Sequence, residues 1–396
     1  MDRNLKAADV KQFGSIELNL LQYARVLPAF ELQGAQMQAG TPIHDINGQV
    51  LFHRCPLERN GVSLGYADIA ANTAFGAPLI ALAPEADWNE HAVVAQGLEA
   101  LRKRAAETPG KAMITYDQIR FVAYSYPKLA LQFLKRETEV LMLECFTWID
   151  VPPARGRKRQ KLQPGNFERW SLLGELPEAR KRKNHQQFAN RVRPYARKEL
   201  DAIRGGVVLA TAAAAVSLLR PTHSYEIHYS GRAGDHHVCY ELRGQETNVW
   251  CVAASTQMLL DFYRYNYPQT RIAEQLQLGT LAHPNGLPYA RVGDVVTQLQ
   301  VMSSNALTAN MITDPVFGDF TAEINHNRPM ISFIPGHSRT VAGYTEAWLQ
   351  IVLTGSGFRG LLVYDPWPPN AGVITRWENF DTQIYQYAYS ARVTTI

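Results

Sequence analysis

The sequence predicts an α+β protein with two folded regions. A run with helical spacing of apolar residues (EHAVVAQGLEALRKRAAE) stands among strand-like runs such as QVLFHRCPL and MISFI. The stretch VPPARGRKRQKLQPG, rich in Pro, Gly and charge, interrupts this pattern and predicts a domain boundary. A chain of 396 residues, 46% of them hydrophobic, can build more than one core.

Residues 1–150 are predicted to form an N-terminal α+β domain, to which the sequence assigns no role. QVLFHRCPL and APLIALA have the composition of strands, and EHAVVAQGLEALRKRAAE that of an amphipathic helix. YDQIRFVAYSYPKLALQFL is expected to be a second helix that Pro127 kinks or divides. VLMLECFTWIDV is expected to be a buried strand. No residue pattern in this region points to chemistry.

Residues 151–204 are predicted to form a basic linker that becomes helical from about residue 180. Between Arg155 and Arg204 the chain has 15 Lys or Arg against 5 Asp or Glu. Such runs can bind anionic partners, but a solvated helix face is the favoured interpretation. No nucleic-acid partner is expected, because no aromatic interleaving or nucleic-acid motif accompanies the charge.

Residues 205–220 are predicted to form an apolar, Ala-rich helix. The 15 uncharged residues 205–219 would span about 22 Å as a helix, whereas a bilayer core is about 30 Å thick. A buried helix is therefore favoured, and membrane contact is the alternative. No cleavable signal is visible at the N-terminus, so a cytoplasmic location is expected. Delivery by a dedicated secretion system, or membrane association, is the alternative.

Residues 221–396 are predicted to form a second domain, with a helical half followed by an antiparallel β half. SYEIHYSG and HHVCYELRG have strand character, and a helix follows Cys251 with apolar residues four apart. PQTRIAEQLQ and GDVVTQLQVM are expected to be helices. Four strand candidates follow, namely MISFI, TVAGYTEA, LQIVLTG and LLVYDP.

Cys251 begins the predicted helix and is the candidate nucleophile. The four cysteines lack the spacing of a zinc site, and they are too few for a disulfide framework, which favours a reducing compartment. A thiol nucleophile needs no metal or organic cofactor, and none is expected. A thiolate is the reactive form of cysteine, and a helix N-terminus lowers the pKa of a thiol through its dipole. A lone cysteine at a helix start is, however, more often a small core residue.

Three further residues complete a catalytic set with Cys251. Gln245, six residues earlier, has an amide that can donate to an oxyanion. His337, in PGHSRTVAGY, can act as the base, and Asp365, in LLVYDPWPP, can orient its imidazole. Each residue alone has a structural explanation, and their combination favours an acyl-transfer site.

These segments resemble papain-like cysteine peptidases, in particular the compact bacterial branch that includes bacteriocin-processing peptidases. The resemblance covers residues 235–396 and rests on QETNVWCVAAS, GHSRTVAGY and VYDP. It implies a papain-like fold in which Cys251, His337 and Asp365 form the triad and Gln245 stabilises the oxyanion. One departure concerns tryptophan, which papain-type segments usually have directly after the cysteine. Here Val252 follows and Trp250 precedes.

The resemblance also implies a substrate, since bacteriocin-processing peptidases cut after two glycines in leaders that carry Glu-Leu upstream. The chain contains KELDAIRGG, whose matching residues are Glu199, Leu200, Ile203, Gly205 and Gly206. Tyr195 would add an apolar contact. The hypothesis is that Cys251 cleaves after Gly206, so that residues 195–206 are the chain's own substrate and residues 1–206 a pro-region. The alternative is that the glycines only separate two helices.

The same residues allow other functions. An acyl transferase of the transglutaminase type would use the same thioester chemistry, with an amine in place of water. A non-catalytic module would keep only the peptide-binding groove. The predicted partner is a protein or peptide substrate in each case, and a bacterial toxin or effector is one natural role for such a protease.

Overall fold

The computed structural model describes residues 4–23, 34–84, 88–107, 114–152, 169–196, 219–227, 240–349 and 357–394, with single residues 26, 32 and 86. Its α-helices fall into an N-terminal and a C-terminal group. The N-terminal helices are α1 (Ala7–Tyr23), α2 (Glu90–Glu107), α3 (Leu172–Glu175) and α4 (Glu178–Val192). The C-terminal helices are α5 (Cys251–Phe262), α6 (Gln269–Gln275), α7 (Asp294–Met302) and α8 (Phe317–Asn325).

The strands fall into the same two groups. Those of the N-terminal region are β1 (Gln36–Met37), β2 (Thr41–Asp45), β3 (Val50–Arg59), β4 (Val62–Ala70), β5 (Leu79–Pro84), β6 (Gln118–Ser125), β7 (Lys128–Lys135) and β8 (Thr138–Glu144). Those that follow are β9 (Leu219–Glu226), β10 (Leu307–Thr313), β11 (Met330–Ile334), β12 (His337–Leu349), β13 (Gly357–Asp365), β14 (Val373–Asn379) and β15 (Tyr387–Val393).

All these strands belong to one continuous sheet. Its order is β10-β15-β11-β12-β13-β14-β5-β4-β3-β2-β6-β7-β8, with β9 added to β12 and β1 to β3. The two groups of strands meet where β14 pairs antiparallel with β5, at Trp377 opposite Leu82 and Glu378 opposite Ala81. The N-terminal strands therefore extend the C-terminal sheet.

The join between the two groups is also a packed core. Trp377 is fully buried among apolar residues of both groups, including Leu82 and Phe358, and its indole nitrogen donates to the carbonyl of Val26 at 2.9 Å. The side-chain amide of Asn379 donates to the carbonyl of Leu79 at 2.9 Å. The α+β class is confirmed, while the separateness of an N-terminal domain is not.

Some predicted elements of the N-terminal region are confirmed. EHAVVAQGLEALRKRAAE is the helix α2, and QVLFHRCPL and APLIALA contribute to β3 and β5. The predicted helix YDQIRFVAYSYPKLALQFL is wrong, because this segment forms the hairpin β6–β7. Pro127 lies at its turn. VLMLECFTWIDV is a strand only to Glu144, after which the chain turns.

In the C-terminal region the predicted helices correspond to α5, α6 and α7, and MISFI, TVAGYTEA and LLVYDP lie in β11, β12 and β13. HHVCYELRG was expected to be a strand, which is wrong for its described residues 240–244. SYEIHYSG contributes to β9, which begins earlier, at Leu219. LQIVLTG lies outside the described residues except for its first residue.

The basic linker falls partly outside the described residues, which resume at residue 169 and include the first part of the predicted helix as α4. Residues 197–204 and residues 205–218 of the apolar segment lie outside them. The predicted apolar helix is wrong for its last two residues, 219 and 220, which begin the strand β9. Within the described ranges, no helix combines the length and apolar character needed to cross a membrane.

Candidate active site

Cys251 is the first residue of α5, in the core of the C-terminal region. Ala253, Ala254 and Met258 of the same helix are buried with it. This burial accounts for the apolar sequence of the helix. The hydroxyl of Thr340 on β12 donates to the sulfur of Met258 at 3.6 Å, so α5 packs on that strand. The thiol thus lies at the helix N-terminus, where the helix dipole favours negative charge.

Trp250, on the unexpected side of the cysteine, is a core residue. It is fully buried, and its indole nitrogen donates to the carbonyl of Leu278 at 3.0 Å. Its backbone carbonyl accepts the hydrogen bond of Ala254 and so starts the helix. Trp250 therefore anchors the beginning of α5 within the helical half.

His337 and Asp365 come together because of the sheet topology. β12 begins at His337 and β13 ends at Asp365, and the start of one antiparallel strand lies beside the end of its neighbour. Gly336 makes the tight turn before His337 and has a φ of 70°, a conformation that favours glycine. His337 Nε2 and Asp365 Oδ1 are 2.6 Å apart. The backbone N–H of Trp367 donates to the same oxygen at 2.8 Å, which fixes the carboxylate.

The thiol of Cys251 and the imidazole of His337 lie close enough for each to shift the pKa of the other. Asp365 engages Nε2, so the ring nitrogen that remains for the thiol is Nδ1. Nδ1 is buried and makes no hydrogen bond among the described residues. The imidazole is thus held by Asp365 through one nitrogen and keeps its other, buried nitrogen for the thiol.

The environment favours the charged forms of Cys251 and His337. Burial on its own raises the pKa of the Cys251 thiol, but His337, the charge of Lys128 and the backbone amide of Ser338 outweigh it and hold this pKa below its ordinary value. Burial lowers the pKa of His337, whereas Asp365 and Cys251 raise it, and the balance lies above the ordinary value. Both shifts favour the thiolate–imidazolium pair over the neutral thiol and imidazole.

The other described cysteines have the opposite tendency. Burial raises the pKa of Cys55 to about 12, and it raises the pKa of Cys145 well above the ordinary value. Cys55 belongs to the apolar core at the join of the two groups, and Cys145 to an apolar core of the N-terminal region. Among the cysteines that the structure describes, Cys251 is thus the one suited to nucleophilic attack.

Gln245 lies on the loop that precedes α5, and it packs against the loop that follows Asp365. Its backbone N–H donates to Pro366 at 3.0 Å, and its carbonyl accepts from Asn370 at 2.9 Å. Its fully buried amide nitrogen donates to the carbonyl of Thr247 at 2.6 Å. An amide nitrogen has two hydrogens, so one remains for another acceptor.

One charged residue of the site was missed by the sequence analysis. Lys128, the first residue of β7, is fully buried and its charge acts on Cys251 and Asp365. Its ammonium lies 4.9 Å from the centroid of the Trp367 ring. No local motif could have indicated this residue, because it lies in the N-terminal region, far from Cys251 in sequence.

The site is closed in this structure. Cys251 is 2% exposed, and His337 and Asp365 are each 3% exposed. A cavity of about 380 Å³ between the two groups of strands reaches Asp365 and Trp367 and is lined from the other side by Tyr66, Tyr126 and Phe146. A peptide therefore needs a rearrangement to reach the thiol.

The candidate cleavage residues Glu199, Leu200, Ile203, Gly205 and Gly206 lie outside the described residues. Tyr195, the predicted apolar contact upstream of them, is described, and its hydroxyl donates to Glu17 in the core. Where the structure describes side chains, no group of His, Cys, Asp and Glu is arranged to hold a metal ion.

One family model matches the C-terminal region. Residues 239–393 match the model of the Peptidase_C39 like family. Among solved structures, the chain is similar to a double glycine motif protease from an AMS/PCAT transporter in complex with the leader peptide. That likeness has 14% identity and a TM-score of 0.26, and it covers 44% of this chain and 100% of the other. No curated protein matches the chain.

A second solved structure is the peptidase domain of Streptococcus ComA, a bifunctional ABC transporter involved in a quorum-sensing pathway. The likeness has 16% identity and a TM-score of 0.27, and it covers 39% of this chain and 99% of the other. The family match confirms the predicted resemblance for residues 239–393 and supports a cysteine peptidase in that region.

Proposed function

We propose that the protein is a cysteine endopeptidase that cleaves after Gly-Gly and processes its own chain after Gly206. The observation that carries this proposal is the buried 2.6 Å contact of His337 with Asp365 beside the buried Cys251 thiol, whose pKa is lowered while that of the imidazole is raised. The family match of residues 239–393 supports the same chemistry.

The four residues have defined roles in the proposed reaction. The Cys251 thiolate attacks the scissile carbonyl, whose oxygen becomes an oxyanion. This oxyanion accepts hydrogen bonds from the Gln245 amide and from the backbone N–H of Cys251. The His337 imidazolium protonates the leaving amine, which leaves a thioester on Cys251. His337 then takes a proton from water, whose oxygen attacks the thioester and releases the carboxylate. Asp365 keeps the imidazole oriented through its 2.6 Å hydrogen bond.

The substrate proposal depends on KELDAIRGG. Leu200 and Ile203 are three apart and would share a helix face that a groove can bind. Gly205 and Gly206 have no side chains, so they would pass a narrow cleft and bring the scissile carbonyl close to the thiolate. Residues 1–206 would then act as a pro-region, which accords with the burial of Cys251 in the uncleaved chain.

Intact-mass measurement of purified wild type and Cys251→Ala tests the processing proposal. Under reducing conditions wild type should convert to two fragments divided after Gly206, and the variant should stay full length. The fragments should elute together in gel filtration, because β5 pairs with β14 and Trp377 is buried between the two regions. If both proteins stay full length under reducing and activating conditions, the processing proposal fails.

A further inference from the structure

Lys128 is a buried charge that the proposed triad does not require. It begins β7, directly after the turn of the β6–β7 hairpin, and its side chain has no exposure to solvent. Lysine is almost never fully buried unless it is paired, because an ammonium loses its hydration there. The groups around Lys128 should therefore explain its position.

Two of the three negative groups that act on Lys128 belong to the triad. Burial lowers the pKa of Lys128 below its ordinary value, and the charges of Cys251, Asp365 and Glu144 oppose that shift in part. The ammonium lies over the ring of Trp367, whose backbone N–H holds the Asp365 carboxylate at 2.8 Å. A cation over an aromatic face is attracted by the ring, so Trp367 supports the lysine on one side.

Glu144, the third group, also shapes the neighbouring turn. Its Oε2 accepts from the backbone N–H groups of Phe146 and Thr147 at 2.9 and 2.6 Å, and from the Thr147 hydroxyl at 2.7 Å. The turn that it stabilises brings Phe146 against Trp367, with ring centroids 6.5 Å apart. The hairpin and this turn therefore both pack against the loop that follows Asp365.

The remaining groups near the thiol come from other elements. His337 and the backbone amide of Ser338 face Cys251 from β12. Tyr289, whose hydroxyl donates to Gln386 at 2.7 Å and accepts from the N–H of Gly336 at 3.0 Å, is the neutral titratable group affected by the thiol's charge. Of these neighbours, Lys128 alone comes from the N-terminal region.

We propose that Lys128 is a positioning residue of the active site, supplied by the N-terminal region, whose ammonium stabilises the Cys251 thiolate. The N-terminal region therefore has a part in the chemistry of the peptidase, and the C-terminal region alone has a less reactive thiol. The pairing of β5 with β14 holds the two regions in this arrangement. This inference rests on the proposed function of Cys251.

The test is the rate of iodoacetamide alkylation of Cys251 as a function of pH in the full-length protein, read by mass spectrometry of the Cys251 peptide. Lys128→Met keeps the length of the side chain and removes its charge. We expect the midpoint of the profile to move up by about one pH unit, which makes alkylation about tenfold slower on its acidic side. Lys128→Arg should retain most of the wild-type rate.

The matched control is Lys135→Met, at the exposed end of the same strand, where the ammonium bonds to Thr115 at 2.6 Å. It should leave the profile unchanged. An unchanged profile in Lys128→Met overturns the proposal, and faster alkylation overturns it in favour of a lysine that merely blocks access. If Lys128→Met fails to fold, Lys128→Gln replaces it. A wild-type profile like that of free cysteine would instead overturn the proposed function.

Discussion

Replacing His337 with alanine is expected to slow hydrolysis of a peptide carrying residues 195–210 by about 10³-fold or more. The substitution removes the base that holds Cys251 as a thiolate and the acid that protonates the leaving amine. It also leaves the buried Asp365 carboxylate without its hydrogen bond to the imidazole, which is 2.6 Å long in the native protein. Initial rates measured by mass spectrometry of the products would give this ratio.

The matched control is His326→Ala, which replaces an exposed histidine at the end of α8 whose Nδ1 bonds only to the backbone of its own helix, at 2.8 Å. It should keep the wild-type rate. Asp365→Asn should lower the rate less than His337→Ala. This variant loses the negative charge beside the imidazole but keeps the imidazole itself and the shape of the side chain that contacts it. A His337→Ala protein that is folded and retains the wild-type rate would contradict the role given to the imidazole.

The second large effect concerns stability, at the join of the two groups of strands. Glu378 on β14 is 2% exposed, and it accepts from Arg339 Nη2 at 2.8 Å and from the Tyr385 hydroxyl at 2.6 Å. Glu378→Ala would leave the Arg339 guanidinium buried without its counter-charge. The expected loss is about 3–5 kcal/mol in the free energy of unfolding, measured by urea denaturation.

Two variants separate the loss of a counter-charge from a general effect of substitution. Arg339→Met combined with Glu378→Leu should be more stable than Glu378→Ala, because no buried charge is left unpaired. Glu274→Ala, which breaks the exposed ion pair with Arg271, should change the free energy of unfolding by less than about 1 kcal/mol. Equal losses in Glu378→Ala and Glu274→Ala would contradict the account of this pair.

Arg339 also links this ion pair to the candidate site. It lies two residues after His337 on β12, while Glu378 is opposite Ala81 of β5 at the join. The charge pair thus links the histidine strand β12, across β13, to β14, the strand that pairs with the N-terminal region. A loss of stability in Glu378→Ala should therefore be accompanied by slower alkylation of Cys251.

The sequence predicted the elements that carry Cys251, His337 and Asp365 better than it predicted the arrangement of the sheet. Cys251, His337 and Asp365 each lie at the end of an element with a strong local pattern, so their elements could be assigned from short segments. The contact of His337 with Asp365 then follows because β12 and β13 are antiparallel neighbours, so the start of one lies beside the end of the other. The hydrogen bond of Gln245 to Thr247 has no comparable local signal.

The hairpin β6–β7 could not be recognised from its residues alone. β7 is buried at every position except its last, so its sequence KLALQFLK lacks the alternation that marks a strand with one exposed face. A continuous apolar run fits a buried helix equally well. The pairing of β5 with β14 joins segments about 290 residues apart, for which no local pattern exists. Lys128 was missed because its hairpin was not recognised, and because the contact of the N-terminal strands with the C-terminal region has no local signal.

The most direct test of the central claim is the reaction of the full-length protein with a peptide of residues 195–206 that carries an electrophilic carbon in place of the scissile carbonyl. The account predicts one stoichiometric adduct on Cys251 of wild type, and none on Cys251 in His337→Ala. Peptide mapping by mass spectrometry identifies the modified residue. No adduct on Cys251, or equal modification of Cys55 and Cys145, would contradict the account.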